Sequence, residues 1–374
     1  MYNLIRTPIK DQIQQDLEKK MVFLGGPRQV GKTTLAKSLL QTSKKSYFNW
    51  DDLEDRKRIL QREWSDASKL IVLDEIHKFK NWRGLIKGFY DSLKEVHQFL
   101  ITGSARLDYY RKGGDSLLGR YYYYRLHPFS LPEIGQKYEL EHLLKFGGFP
   151  EPLIQGSVRE LKRWHLQRRE RIIYSDIRDL ENVRDISNIQ VLTEALQDRV
   201  GSPLSKKNLA EDILVDQKTV EKWLQILERV YYCYRISPYG PSKIRAVKKE
   251  QKLYLWDWSE LESEGPRWEN FVGSHLLKYC HFHEDVNGEK MELRFLRDTD
   301  KREIDFVVLK NKKPLFAVEC KTGEKNLSPH IQYFADRTLI PHFYQVHKGT
   351  IQRQISSRIS ILPFETFCEK ENLI

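Results

Sequence analysis

Short apolar runs recur through the first third of the chain. They read MVFLGG at 21–26, SYFNW at 46–50, LIVLDE at 70–75, QFLITGS at 98–104 and RYYYYRL at 120–126. Polar stretches with helical spacing separate them. Strands that alternate with helices predict a parallel sheet covered on both faces, an α/β class of fold. The two prolines of HPFSLPEIG at 127–135 mark the exit from that sheet. Residues 136–200 read as helical and charged, and the glycines and prolines of GGFPEP at 147–152 interrupt them with a turn.

The period changes after residue 200. Leu209 and Ile213 stand four apart, Asp216 is placed to cap, and Val220, Trp223, Leu224 and Leu227 repeat at helical spacing. Two short helices around a tight turn are followed by YYCYRI and KIRAVKKEQKLYLWD, with PYGP between them. This arrangement resembles a winged helix-turn-helix. One further helix, RWENFVGSHLLKYC, precedes a hairpin that contains IDFVVLKNKKPLFAVECK at 304–321.

Composition narrows the class. With 374 residues, 40% of them hydrophobic and 31% charged, the chain can build real cores and is too apolar for a disordered protein. No apolar run approaches the ~18 residues of a membrane span, so no membrane partner is expected. The first twenty residues lack an apolar signal core, and the cysteines at 233, 280, 320 and 368 form no Cys-x-x-Cys pair. A cytoplasmic protein with free thiols is the expectation. The formal charge of +11 favours polyanions, nucleic acid above all, although a solvated basic surface gives the same number.

The clearest chemistry is GPRQVGKTT, comprising Gly26, Pro27, Arg28, Gln29, Val30, Gly31, Lys32, Thr33 and Thr34. It fits Gly-x4-Gly-Lys-Thr and lies between a strand and a helix, the context a phosphate loop needs. The glycines let backbone N–H groups curl around phosphates at a helix N-terminus. Lys32 is assigned to the β- and γ-phosphates of ATP, and Thr33 to Mg2+. Asp74, at the end of LIVLDE, is assigned to the same Mg2+ and Glu75 to the attacking water. Thr102 or Ser104 stands where a γ-phosphate sensor would, or else caps the strand end. Arg120 is the candidate arginine finger, with Arg125 as second choice.

Taken in order, GGPRQVGKTTL, VLDEIHK, LITGSARL, LGRYYYYRLHPFSLPEI and GGFPEP resemble a broad prokaryotic family of AAA-type (AAA+) P-loop ATPases. Members of that family carry a winged helix and a C-terminal nuclease-like domain of uncertain function. The resemblance implies an AAA-type sheet, ATP hydrolysis through Lys32, Thr33, Asp74 and Glu75, and self-association as a homo-oligomer, with a hexameric ring as one form. It implies four parts: an ATPase core at 1–135, a helical lid at 136–200, a winged helix at 201–258 and an α/β nuclease-like domain at 259–374.

In the winged helix, Lys218 and Lys222 on the second helix and Lys243, Arg245, Lys248 and Lys249 near the wing are the candidate DNA contacts. Lysine and arginine there suit phosphate contacts better than base readout. The rival use of such a fold is a protein contact.

The C-terminal hairpin resembles the PD-(D/E)XK nuclease type. Period-2 alternation places Glu319 and Lys321 on one face of a strand and Cys320 on the other, with Asp305 a hairpin's length earlier. In that fold an Asp and a Glu on adjacent strands hold a divalent metal whose water attacks a phosphodiester, and the Lys steadies it. Glu269, on the preceding helix, completes a second metal set by residue type. Ile304 stands where the motif name has Pro.

Three functions follow. The first is an ATP-driven motor that remodels duplex or branched DNA, Holliday junctions being the sharper form, with the nuclease-like domain mainly gripping DNA. The second is an ATP-regulated, metal-dependent nuclease in repair or defence. The third is a signalling switch ATPase with a protein partner.

Overall fold

A computed structural model describes residues 6–40, 46–65, 67–103, 117–177, 185–240 and 250–374. The chain divides into two compact units, Met1–His127 and Pro128–Ile374.

The first unit is built on β1 (Met21–Gly25), β2 (Tyr47–Asn49), β3 (Leu70–Asp74), β4 (Gln98–Thr102) and β5 (Tyr121–Arg125). All pair in parallel, in the order β2-β3-β4-β1-β5. The five apolar runs of the sequence are these five strands. Both faces are buried because successive side chains point to opposite sides and almost every one is apolar. Met21 and Phe23, Ile71 and Leu73, and Phe99 and Ile101 join one cluster with Trp82, Ile86 and Phe89 of helix Trp82–Leu93. Val22, Leu24, Val72 and Leu100 are buried on the other face. There helix α1 (Thr7–Leu17) packs on β1 and β4, and α2 (Lys32–Leu39) packs on β3 and β4. Parallel strands send all their carboxyl ends to one edge, and ligands of such sheets bind outside that edge.

After a short helix at Leu131–Ile134, the second unit continues with helices α3 (Leu140–Phe146), α4 (Pro150–Gln155), α5 (Val158–Arg171) and α6 (Ile186–Gln197). The first three residues of GGFPEP turn the chain between α3 and α4, and the last three open α4. Gly147 has φ +77°, and a Cβ on Gly148 would stand 2.5 Å from the carbonyl oxygen of Phe129, so the turn needs both glycines.

Helices α7 (Lys206–Asp212) and α8 (Gln217–Arg229) follow. Asp216 caps α8, accepting from the backbone N–H groups of Lys218 at 2.8 Å and Thr219 at 2.9 Å. Val220, Trp223, Leu224 and Leu227 form its buried face, as their spacing predicts. Strands β6 (Cys233–Pro238) and β7 (Lys252–Leu255) then pair antiparallel. Lys243, Arg245, Lys248 and Lys249, which join these strands, lie outside the described residues, as does Ser104.

The long helix α9 (Glu264–Asn287) precedes β8 (Met291–Arg297), β9 (Glu303–Lys310) and β10 (Lys313–Cys320). Strands β11 (His342–His347), β12 (Arg353–Gln354) and β13 (Ile359–Pro363) complete an eight-stranded sheet of order β12-β13-β11-β10-β9-β8-β6-β7. The β9–β10 hairpin turns at Asn311 and Lys312, whose φ values of 51° and 67° suit a two-residue turn.

Candidate functional site

The phosphate loop leaves the carboxyl end of β1 and enters α2. Gly31 is the N-cap of α2 in the left-handed region, at φ 101°. A Cβ on Gly26, itself at φ +135°, would stand 2.4 Å from the carbonyl oxygen of Leu126, so only glycine fits. Lys32 is buried, and its Nζ donates to the carbonyl oxygens of Gly26 at 2.9 Å and Pro27 at 2.7 Å. The ammonium therefore lies across the loop. Buried Arg6 donates from Nη1 to the carbonyl of His127 at 2.5 Å and from Nη2 to that of Val30 at 2.9 Å, which ties the loop to the end of β5. Nothing local in the sequence marks Arg6 for this task.

Asp74 is the centre of the site. One carboxylate oxygen, Oδ2, accepts from Thr33 Oγ1 at 2.8 Å and from the Tyr47 hydroxyl at 2.6 Å, and Oδ1 accepts from Thr102 Oγ1. In-register pairing of β3 and β4 sets Thr102 directly beside Asp74. Thr102 is fully buried. Its hydroxyl donates to Asp74 at the position expected for a γ-phosphate sensor or a strand-end cap. Tyr47 was not singled out by the sequence; its only signal is its place on β2, whose Asn49 pairs with Asp74.

Glu75 follows with φ 57°, a left-handed conformation uncommon for a side chain of this size. Its N–H donates to the carbonyl of Thr102 at 3.0 Å, and Oε2 lies 3.4 Å from Lys78 Nζ. Burial pushes its carboxyl above the ordinary range, while Lys78, Lys32 and Arg28 pull it back. A desolvated carboxylate beside cations suits a group that must accept a proton from water. Thr33 and Asp74 present hard oxygen donors beside the loop, a set that fits Mg2+.

Arg120 is not brought to this site. It precedes β5, whose first residue Tyr121 pairs with Met21, whereas the phosphate loop follows Gly25. Parallel pairing thus puts it at the amino edge of the sheet, about 15 Å of strand away. Its guanidinium pairs there with Asp91, at 2.8 and 3.2 Å. The expected finger role, toward a neighbouring subunit's nucleotide or its own, is not decided by this placement. Arg125, which pairs with Gly25, stands at the carboxyl edge instead.

In the second unit, Gln217, Lys218, Lys222 and Gln225 lie exposed on α8. Glu221 on the same helix is engaged by Arg235 at 2.9 and 3.1 Å and by Lys206 at 3.1 Å. Burial opposes ionisation, yet the Arg235, Gln225 and Lys206 hydrogen bonds outweigh it and take this carboxyl down to about 2. The acid of this face is thereby neutralised.

The hairpin carboxylates also converge. Val318 pairs with Phe306, and the next step brings Glu319 beside Asp305. Asp305 Oδ2 accepts from the Cys320 N–H at 2.8 Å, and Lys321 Nζ donates to Glu319 Oε1 at 2.8 Å. Glu319 Oε2 is buried and makes no hydrogen bond. Burial and Asp305 push the Glu319 carboxyl up to about 8 against the pull of Lys321. Burial and Asp305 likewise raise Glu269 to about 7 against Lys252.

Glu303, which adjoins Asp305 in the sequence and reads as either structural or a spare ligand, joins the carboxylates, and Lys252, fully buried on β7 and not expected here, sits among them. Its Nζ lies 3.1 Å from Glu269, 2.5 Å from Glu303 and 3.6 Å from Asp305. Tyr254, on the same face of β7, donates to Glu269 Oε1 at 2.8 Å. Among the described residues, no group of three or more His, Cys, Asp or Glu is arranged to hold a metal ion. As it stands, Lys252 holds Glu269, Glu303 and Asp305 and Lys321 holds Glu319, and no second metal site is shown there.

Three family models match consecutive stretches. An AAA domain covers residues 18–135. That match makes this stretch similar to AAA-type P-loop ATPase domains. Two domains of unknown function, DUF8612 and DUF4143, cover 137–261 and 264–367. Relatives include an uncharacterized protein of Mycobacterium tuberculosis, 23% identical over 239 residues that make up 63% of this chain and 54% of that protein. Another, from Methanocaldococcus jannaschii, is 22% identical over 370 residues, covering 86% of this chain and 80% of the relative. A third, from Haemophilus influenzae, is 23% identical over 296 residues, 70% and 69% of the two chains. The chain spans about half the length of its mycobacterial relative. A crystal structure of Bacteroides Pif1 bound to ssDNA aligns over 82% of this chain and 74% of that one at 13% identity. Its TM-score of 0.23 is too low to carry an argument. No described helix beside the AAA domain or beyond it is long and apolar enough to cross a membrane.

Proposed function

We propose that the chain is an ATP-hydrolysing, DNA-binding motor that remodels duplex or branched DNA, with Holliday junctions as the sharper substrate. The observation that carries the ATPase half is the three-point hold on Asp74 by Thr33, Tyr47 and Thr102 beside the phosphate loop. Mg2+ supplies charge neutralisation when bound with ATP, and Thr33 and Asp74 are the residues to hold it. Lys32 leaves the carbonyls of Gly26 and Pro27 for the β- and γ-phosphates. Glu75, aimed by its backbone bond to Thr102, orients the attacking water and takes its proton.

The DNA half rests on the net charge of +11 and on the exposed Lys218 and Lys222 of α8 beside a neutralised Glu221. Helices α7 and α8 and the β6–β7 pair have the element order of a winged helix, and Lys243, Arg245, Lys248 and Lys249 fall between those strands. Residues 136–200, 201–258 and 259–374 are read as lid, winged helix and nuclease-like domain, which grips DNA. Homo-oligomers, including a hexameric ring, fit an AAA-type core.

The test is steady-state ATP hydrolysis with four-way junction, duplex, single strand or no DNA. Stimulation by junction above duplex supports the full reading. Rates indifferent to every nucleic acid remove DNA as the partner and favour the signalling switch.

A further inference from the structure

The C-terminal carboxylates look like a metal set by residue type, yet an ammonium stands against Glu269 and Asp305 of that set. Lys252 comes from β7, the edge strand of the eight-stranded sheet. Its ammonium passes the Phe295 ring of β8, 5.7 Å from the centroid, to reach Glu303 and Asp305 on β9 and Glu269 on α9. The side chain is fully buried, and the cluster is closed on another side by the backbone. A Cβ on Gly201 would stand 3.0 Å from both carboxylate oxygens of Glu269. Gly201 is fixed there, donating to the carbonyl of Leu253 at 3.2 Å.

An ammonium and a divalent cation make the same demand on carboxylates, and both cannot stand within about 3 Å of the same oxygens. Lys252 is buried among three carboxylates, whereas a lysine that serves a nuclease water needs solvent and a neighbouring metal. Lys321 holds the sequence position of the nuclease lysine and pairs with Glu319, while Lys252 holds Asp305 and Glu269, two of the three carboxylates of the expected metal set.

We propose that Lys252 is a built-in replacement for the divalent metal of the nuclease-like domain, so that this unit holds nucleic acid without cutting it. The lysine lets β7, α9 and β9 converge on one charge with no ion supplied from solution. The fold keeps the shape of a nuclease and has given up its hydrolytic water. This inference deepens the gripping role proposed above. It does not depend on ATP hydrolysis, because its test uses no nucleotide.

The experiment is Mn2+ binding to the full chain without nucleotide, followed by the paramagnetic signal of free Mn2+, for wild type, Lys252→Met and Lys252→Met/Asp305→Asn. Wild type is expected to show no site that depends on Asp305. Lys252→Met is expected to gain one, and the double variant to lose it. The melting temperature of Lys252→Met should fall below wild type and recover with millimolar Mn2+. Lys252→Gln, which keeps a donor at the buried position, serves if the methionine does not fold. Stoichiometric Mn2+ binding by wild type that Asp305→Asn abolishes would overturn the proposal, and so would Mn2+-dependent DNA cleavage by wild type. Failure of both lysine variants to gain a site would also overturn it, since the lysine would then not be standing in for a metal.

Discussion

Thr102→Val separates two roles that look alike in sequence. Valine keeps the shape of the buried threonine and removes only the hydroxyl that donates to Asp74 Oδ1. Asp74 keeps Thr33 and Tyr47, but both bond Oδ2. The variant therefore frees one oxygen of a nearly buried carboxylate, a loss of about 1.5–3 kcal/mol for a hydrogen bond to a charged group. At about 1.4 kcal/mol per decade, the carboxylate should grip Mg2+ about 10- to 150-fold less well. The assay is ATP turnover against Mg2+ at saturating ATP. Half-activation should move to higher Mg2+ by that factor, and the rate at saturating Mg2+ should return to nearly the wild-type value. Thr102→Ser should restore the wild-type curve. A fall in the saturating rate with an unmoved Mg2+ midpoint would place the hydroxyl on the reacting phosphate and refute the argument.

Further predictions follow from the same geometry. Arg120→Ala should leave the turnover of a single subunit unchanged, since it removes an ion pair with Asp91 at the amino edge of the sheet; a drop above about tenfold in the assembled protein alone would place it at a neighbour's nucleotide. Lys218→Ala and Lys222→Ala should weaken binding to every DNA sequence alike and each lower the salt slope by about 1, measured by titration at several salt concentrations. His275 is buried, its Nδ1 donates to the Phe271 carbonyl at 2.7 Å, and its Nε2 accepts from the Leu131 N–H at 2.9 Å. Burial takes its pKa down to about 3 from 6.5, so its contribution is present above 6.5 and is lost as pH falls toward 3, by up to about 1.4 kcal/mol per pH unit. Urea unfolding of wild type and His275→Gln between pH 7 and 4 should show a shallower acid loss in the variant; parallel curves would refute it.

Local chemistry was legible and long-range pairing was not. The phosphate loop, Asp74 and Glu75 could be read because a strand end, a glycine turn and a helix start lie within a few residues of each other. The five strands could be read because each is a short apolar run. The bond from Thr102 to Asp74 could not be read because it is fixed by β3–β4 register, which no local pattern displays. Arg120 carried a usable signal: a residue ahead of a parallel strand must lie opposite a loop that follows one. Lys252 was absorbed into the basic run KKEQK, although its two-residue spacing from Tyr254 puts both on one strand face. Its carboxylate partners lie 17 to 53 positions later, at Glu269, Glu303 and Asp305.

The ATPase reading turns on Glu75. Phosphate release from Mg-ATP by the purified full chain should be measurable in wild type and fall at least about 100-fold in Glu75→Gln, while ATP binding by the variant stays within a few-fold of wild type. Equal phosphate release by the two proteins, with Asp74 and the phosphate loop intact, would contradict the assignment of this site to ATP hydrolysis.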